Sequence, residues 1–261
     1  MENSVKIYLK KERKKTSNEP PILFTVNKLL YPIGLSKSKI AEVKEIVEQE
    51  ENKKEIIFQG FFVLVVSYFE NMITDILTYY LKKVPYKIDC KEFKFTKEEF
   101  FNNDLISLQI EKFVHTLSYK PFQEILDCFF KTLSIDSGYR DKYVIELIEI
   151  KERRNILIHN NCIVNRIYLE KTGIKDNDRL NKKLLIDKGY LLNSISTIHD
   201  FISCIEKSLK EKYSKYTKIK LLKDLWKYIF TSPVLQFDDY WIYNEEKDEV
   251  GAMNHPACED S

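Results

Sequence analysis

The stretch EIIFQGFFVLVVSYFENMITDILTYYL, residues 55 to 81, constrains the fold more than any other part of the chain. A segment this apolar has to be covered on most of its sides. Gln59, Ser67, Glu70, Asn71 and Asp75 interrupt it, so it falls short of the unbroken run of about 18 residues that a bilayer span requires. The expectation is a buried core helix, with no membrane as a partner.

What surrounds that helix should also be helical. Six glycines and seven prolines in 261 residues are few for a turn-rich β fold, while Leu, Ile, Lys and Glu are plentiful. The length suits one large domain or one domain with an appendage. Forty-two basic against forty acidic residues give a net charge of +2, so the surface as a whole is not that of a nucleic-acid binder and any basic site must be local. The N-terminal KIYLKKERKK reads as a solvated or disordered tail or, less simply, as such a site. The five cysteines, Cys90, Cys128, Cys162, Cys204 and Cys258, are widely spaced, with no C-x-x-C pair and no histidine at zinc-ligand spacing. A reducing cytoplasm is their natural setting. The first residues show no signal-peptide pattern.

Along the chain, residues 1–35 read as a basic tail followed by an irregular connector, PPILFTVNKLLYPIGL. A bundle is expected over 36–215. Ser36 or Ser38 would cap its first long helix, which runs into the apolar stretch with or without a break at Gly60. A loop follows over 83–95, with Thr96 and Glu99 as a capping box. Shorter helices are expected in EEFFNNDLISLQIEKFVHTL and PFQEILDCFFKTL, a turn at 134–138, and a helix from about Tyr139 to His159. NRIYLEKTG reads as a short helix or loop, and IKDNDRLNKKLLIDKG as an exposed or β-like excursion. Leu191, Ile195, Ile198, Ile202, Ile205 and Leu209 recur at helical spacing in a last arm, Tyr190 to about Tyr213. The class is all-α, an antiparallel helical bundle. A small C-terminal extension over 216–247 would add a final helix and an aromatic, acidic segment, and 248–261 would be a disordered tail.

Chemistry concentrates in KERRNILIHNNCIVN, residues 151 to 165. At about 100° per residue, Tyr143, Leu147, Ile150, Leu157 and Ile158 share one stripe, and Arg154 falls in its middle. Asn155 and His159 stand one turn apart on a shoulder beside Val144 and Ile148. Arg153 lies outside the stripe and is expected to be a solvated charge. A guanidinium within an apolar stripe needs a carboxylate such as Glu70 or an anionic ligand. Residue types alone leave both open.

The pattern R-x-x-x-x-H with a polar residue after the arginine, here Arg154-Asn155-Ile-Leu-Ile-His159, resembles the signature of HEPN domains. The longer string RRNILIHNNCIVN is similar to bacterial HEPN proteins of host defence, including abortive-infection and toxin types, and SYFENMITDIL resembles their second bundle helix. The resemblance covers roughly residues 36 to 215. It implies a HEPN-like bundle and metal-independent endoribonuclease activity, without a cofactor, at a site shared by two protomers of a homodimer. Carried over by residue, His159 would serve as general base or acid at the 2′-hydroxyl or the leaving 5′-oxygen. Arg154 would hold the scissile phosphate, and Asn155 would orient the phosphate or the histidine, with Glu70, Ser67 and Asn160 in supporting places. Histidine titrates near neutrality, arginine presents a rigid fork to phosphate, and a 2′-hydroxyl nucleophile selects RNA. One histidine does not easily serve as both base and acid, which is a reason for a symmetric dimer. The resemblance leaves room for an antitoxin or other regulatory partner. It also includes noncatalytic HEPN modules that dimerise or bind RNA or protein.

The chain departs from the pattern at Cys162, where family members often have glycine, so Asn160 or Asn161 would have to make the turn after His159. Other candidates carry less. His115 and His199 sit in amphipathic segments as packed or boundary residues, Asp238 and Asp239 in FDDYW read as an exposed acidic turn, and no G-x-S-x-G, Walker or G-x-G-x-x-G loop is present.

Overall fold

The protein is seen in a computed structural model that describes residues 5–7, 25–49, 54–88, 93–95, 104–215 and 222. The chain divides into two compact units, residues 1–8 with 26–214 and residues 9–25 with 215–261. The described elements belong to the first. The expected capping box at Thr96, the C-terminal helix, the FDDYW segment and the tail over 248–261 lie outside the described residues, Leu222 excepted.

Seven helices make the described part all-α. They are α1 (Val26–Gln49), α2 (Glu55–Lys83), α3 (Leu105–Ser118), α4 (Phe122–Leu133), α5 (Gly138–Asn160), α6 (Arg166–Thr172) and α7 (Lys188–Tyr213). Two three-residue strands, β1 (Val5–Ile7) and β2 (Phe93–Phe95), pair antiparallel with Val5 opposite Phe95. Part of the basic N-terminal stretch is therefore paired with the segment before α3 and is not a free tail.

Helix α2 is long and apolar enough to cross a membrane by length and composition. It is instead packed by α1, α3, α4, α5 and α7, and eleven of its residues are buried, from Phe58 to Leu81. That is the placement of a core helix, compatible with a soluble protein. Gly60 lies inside the helix and makes no break; α1 ends at Gln49 and α2 begins at Glu55.

Cross-helix contacts fix the directions. Ser36 in α1 donates to the Tyr68 carbonyl in α2 at 3.2 Å, and with the connection between Gln49 and Glu55 this makes the two antiparallel. Lys37 meets Glu206 at 2.6 Å and Lys188 meets the Glu48 carbonyl at 3.0 Å, so α1 is also antiparallel to α7. The ring pairs Phe62–Tyr190, Phe69–Phe201 and Tyr80–Tyr213 advance together, so α2 and α7 run parallel. Glu146 with Thr197 and Glu149 with Tyr190 set α5 antiparallel to α7. The four long helices thus alternate in direction along the chain.

Helix α1 begins at Val26, ahead of both expected caps, Ser36 and Ser38, which lie inside it. Its buried positions, Leu29, Ile33, Ser36, Ile40, Val43 and Val47, continue one stripe through Pro32, whose ring removes a single helical hydrogen bond near the N-terminus. Ser36 does not cap the helix but is buried within it. In α7 the six expected apolar residues are all 2 % exposed or less.

Candidate functional site

Helix α5 ends inside the motif, and the segment after it folds back. Asn161 (φ 49°) and Cys162 (φ 62°) are both left-handed, a region that costs an L-residue about 1–2 kcal/mol and glycine nothing. Cys162 N–H donates to the Ile156 carbonyl at 3.0 Å and Asn160 Nδ2 to the Ile163 carbonyl at 2.6 Å, which closes the turn. The chain then runs beside residues 181–184, with Val164 N–H donating to Lys182, Asn181 N–H to Val164 and Leu184 N–H to Cys162. Asn165 caps α6 by accepting from Tyr168 N–H at 2.8 Å. Val164, Tyr168 and Leu169 then close on Ile156 of α5, with Ile174, Leu180 and Leu184 around them. IKDNDRLNKKLLIDKG is therefore a β-like excursion that covers a second side of α5.

That second cover separates the two arginines in a way the single stripe does not foresee. Arg153 is the less exposed, with 14 % of its side chain accessible against 22 % for Arg154. Its Nε donates to Glu149 at 2.7 Å, its Nη1 to the Leu185 carbonyl at 3.2 Å, and its guanidinium lies 3.8 Å over the Tyr190 ring. Glu149 also accepts from Tyr168 and Tyr190, each at 2.7 Å. Burial, and then the Glu149 charge, push both phenols above the ordinary tyrosine value. Burial pulls against the charge of Arg153, but Tyr190, Glu149 and Tyr168 together hold it above its usual value. The expected solvated Arg153 is thus a half-buried tie between α5, residue 185 and α7. Ile158, expected in the buried stripe, is 48 % exposed.

Arg154 faces α2. Its Nη2 donates to Glu70 Oε2 at 2.6 Å and its Nη1 to Asn155 Oδ1 at 3.2 Å. Its Nε is buried and makes no hydrogen bond. Lys151 Nζ lies 2.8 Å from the other Glu70 oxygen, an ion pair without hydrogen-bond alignment, and 5.0 Å over the Phe122 ring. Glu70 therefore answers two cations. Asn155 Nδ2 donates to Glu152 Oε2 at 3.2 Å, and Glu152, only 4 % exposed, accepts from Lys171 of α6 at 3.2 Å.

The structure thus joins Arg154, Asn155 and Glu70 in one polar chain. His159, one helical turn beyond Asn155, is exposed and makes no hydrogen bond to any described residue. Ser67, a turn before Glu70 on α2, is half-buried and also makes none; Asn160 braces the turn. Glu152 and Lys171 escape the sequence reading because no spacing rule pairs a residue of α5 with one of α6, and Lys151 escapes it because its partner Glu70 lies on α2, far away in sequence. Chemically the cluster offers a guanidinium held by a carboxylate and an amide and, at the helix end, a solvent-facing imidazole. Among the described residues no group of His, Cys, Asp and Glu side chains is placed to hold a metal ion.

No protein family, curated protein or solved structure shows significant similarity to this chain.

Proposed function

We propose that the protein is a metal-independent HEPN-type endoribonuclease acting in phage defence or as a toxin, with its site formed where the α5 helices of two protomers meet. The observation that carries the reading is the division of labour along α5. Arg154 is held by Glu70 and Asn155, while His159 on the same helix is solvent-facing and uncommitted. A phosphate needs a positioned fork of donors, and a proton-transfer group must be reachable by substrate.

In this mechanism the 2′-oxygen attacks phosphorus in line, the P–O5′ bond breaks, and a 2′,3′-cyclic phosphate and a 5′-hydroxyl result. His159 of one protomer takes the 2′-hydroxyl proton and His159 of the other returns a proton to the departing 5′-oxygen. Arg154 stabilises the charge growing on the phosphoryl oxygens. No metal or oxidant enters the balance.

The test is incubation of the purified protein with total or transfer RNA in EDTA, beside His159→Ala. Cleavage lost in the variant supports the assignment; equal cleavage in both overturns it. A monomer at micromolar concentration in light scattering counts against a shared site. One observation favours a second reading, a noncatalytic module that dimerises or binds RNA or protein. Glu70 and Asn155 already engage two nitrogens of Arg154 within a single protomer, and so explain the arginine without a substrate. No cleavage by the unmutated protein would select that reading.

A further inference from the structure

Glu152 is the one charged residue in the buried part of α5, and its contacts lead to the site from an unexpected direction. Asn155 sits between a guanidinium, which only donates, and a carboxylate, which only accepts. Only one orientation of its amide satisfies both neighbours, with Oδ1 toward Arg154 and Nδ2 toward Glu152. Turned over, it would set donor against donor and acceptor against acceptor. Glu152 itself is nine-tenths buried, a position in which a carboxylate needs a compensating charge. Lys171 Nζ supplies it, at 3.2 and 3.4 Å from the two oxygens. Lys171 is placed by α6, which Asn165 caps and Val164, Tyr168 and Leu169 seat on Ile156. Helix α6 and Arg154 are therefore linked by three polar contacts, through Lys171, Glu152 and Asn155.

We propose that Glu152 is a positioning residue of the ribonuclease site: it fixes the Asn155 amide and through it the aim of Arg154, with Lys171 compensating its buried charge. The inference rests on the ribonuclease reading for its activity arm and on the geometry alone for its second arm. Orientation of a phosphate-holding group acts on the transition state more than on ground-state binding, so its loss falls on kcat.

The experiment compares Glu152→Leu, Asn155→Ala and the double variant of the full chain. Expected is a loss of about tenfold in kcat for Glu152→Leu with KM within about twofold, and a double variant no slower than Asn155→Ala, since residues acting as one unit are not additive. A Glu152→Leu loss that recurs in full on the Asn155→Ala background overturns the proposal. Independently of activity, the side-chain amide of Asn155 is followed by NMR, assigned through Asn155→Ala. In Glu152→Leu its hydrogen-bonded proton should move to the position of a solvated amide. In Glu152→Gln, which exchanges a charged acceptor for a neutral one of the same shape, it should move part of the way. An amide signal unchanged in both variants overturns the proposal even if Glu152→Leu folds poorly. Should the unmutated protein cleave no RNA, the ribonuclease reading fails while the amide measurement still decides the role of Glu152 in holding Asn155.

Discussion

Arg153 and Arg154 are neighbours in sequence and opposites in circumstance. Arg153 is enclosed by a carboxylate, a carbonyl and an aromatic face contributed by α5, residue 185 and α7. Arg154 shares one carboxylate with a lysine, leans on an adjacent amide and leaves its Nε without a partner. Arg153 uses two nitrogens, on Glu149 and on the Leu185 carbonyl, and is covered by the Tyr190 ring. Arg154 also uses two, and shares its carboxylate with a second cation. About 100° of helix rotation separates a residue tied to residue 185 and α7 from one that faces α2.

The largest effect that sharpens this contrast is catalytic. His159→Ala should reduce RNA cleavage in EDTA by about 10²–10⁴-fold, while urea unfolding shifts by no more than about 0.5 kcal/mol, as expected of an exposed residue. A large loss of stability would show that His159 belongs with Arg153 and not with Arg154. Next is the direct comparison of the arginines by urea unfolding. Arg153→Ala should cost about 2–3 kcal/mol, since it leaves the Glu149 charge with two phenols but no cation and removes the cover over the Tyr190 ring. Arg154→Ala should cost about 1 kcal/mol, because Lys151 still answers Glu70. Equal costs would erase the distinction.

A smaller effect probes the Arg153 side by pH. Burial raises the Tyr168 and Tyr190 phenols, so their contribution is fully present below the unfolded-state value of about 10 and is lost as pH rises above it toward the folded values. The melting temperature should fall between pH 9.5 and 11 (roughly the range that brackets that value) more steeply in the unmutated protein than in Tyr190→Phe, which should itself cost about 1 kcal/mol at neutral pH. Identical slopes would mean the phenols do not matter to the tie. The smallest effect lies in the turn between the two sides: Asn161→Gly should stabilise by about 0.5 kcal/mol in thermal unfolding, since glycine adopts the left-handed region without strain.

The long helices were legible because their periodicity is redundant. Six residues of α7 at helical spacing leave little choice of face, and the apolar run of α2 admits only a central position. The start of α1 was hidden by Pro32, which reads as a breaker although the apolar spacing continues through it. The site was half legible. The stripe of Tyr143, Leu147 and Ile150 marks an inward side of α5 with Arg154 among them, and Glu70 was a nameable partner. A helical wheel, however, gives directions and says nothing of what waits in each. It placed Arg153 outside the stripe and in solvent, and the solvent part fails because residues 162–187 return over that side through pairings no local pattern announces. The same omission concealed Lys171 and Glu152.

Cys162 gives the turn a clock. Its thiol is wholly buried and held above the ordinary cysteine value chiefly by burial, so as long as the turn is closed a thiolate-seeking reagent has almost nothing to attack. Among the described cysteines, Cys128 and Cys204 are only half-buried and will be labelled before it. The slow phase that follows times the moments when the end of α5 comes undone, and an RNA or second subunit that settles on the motif should lengthen it.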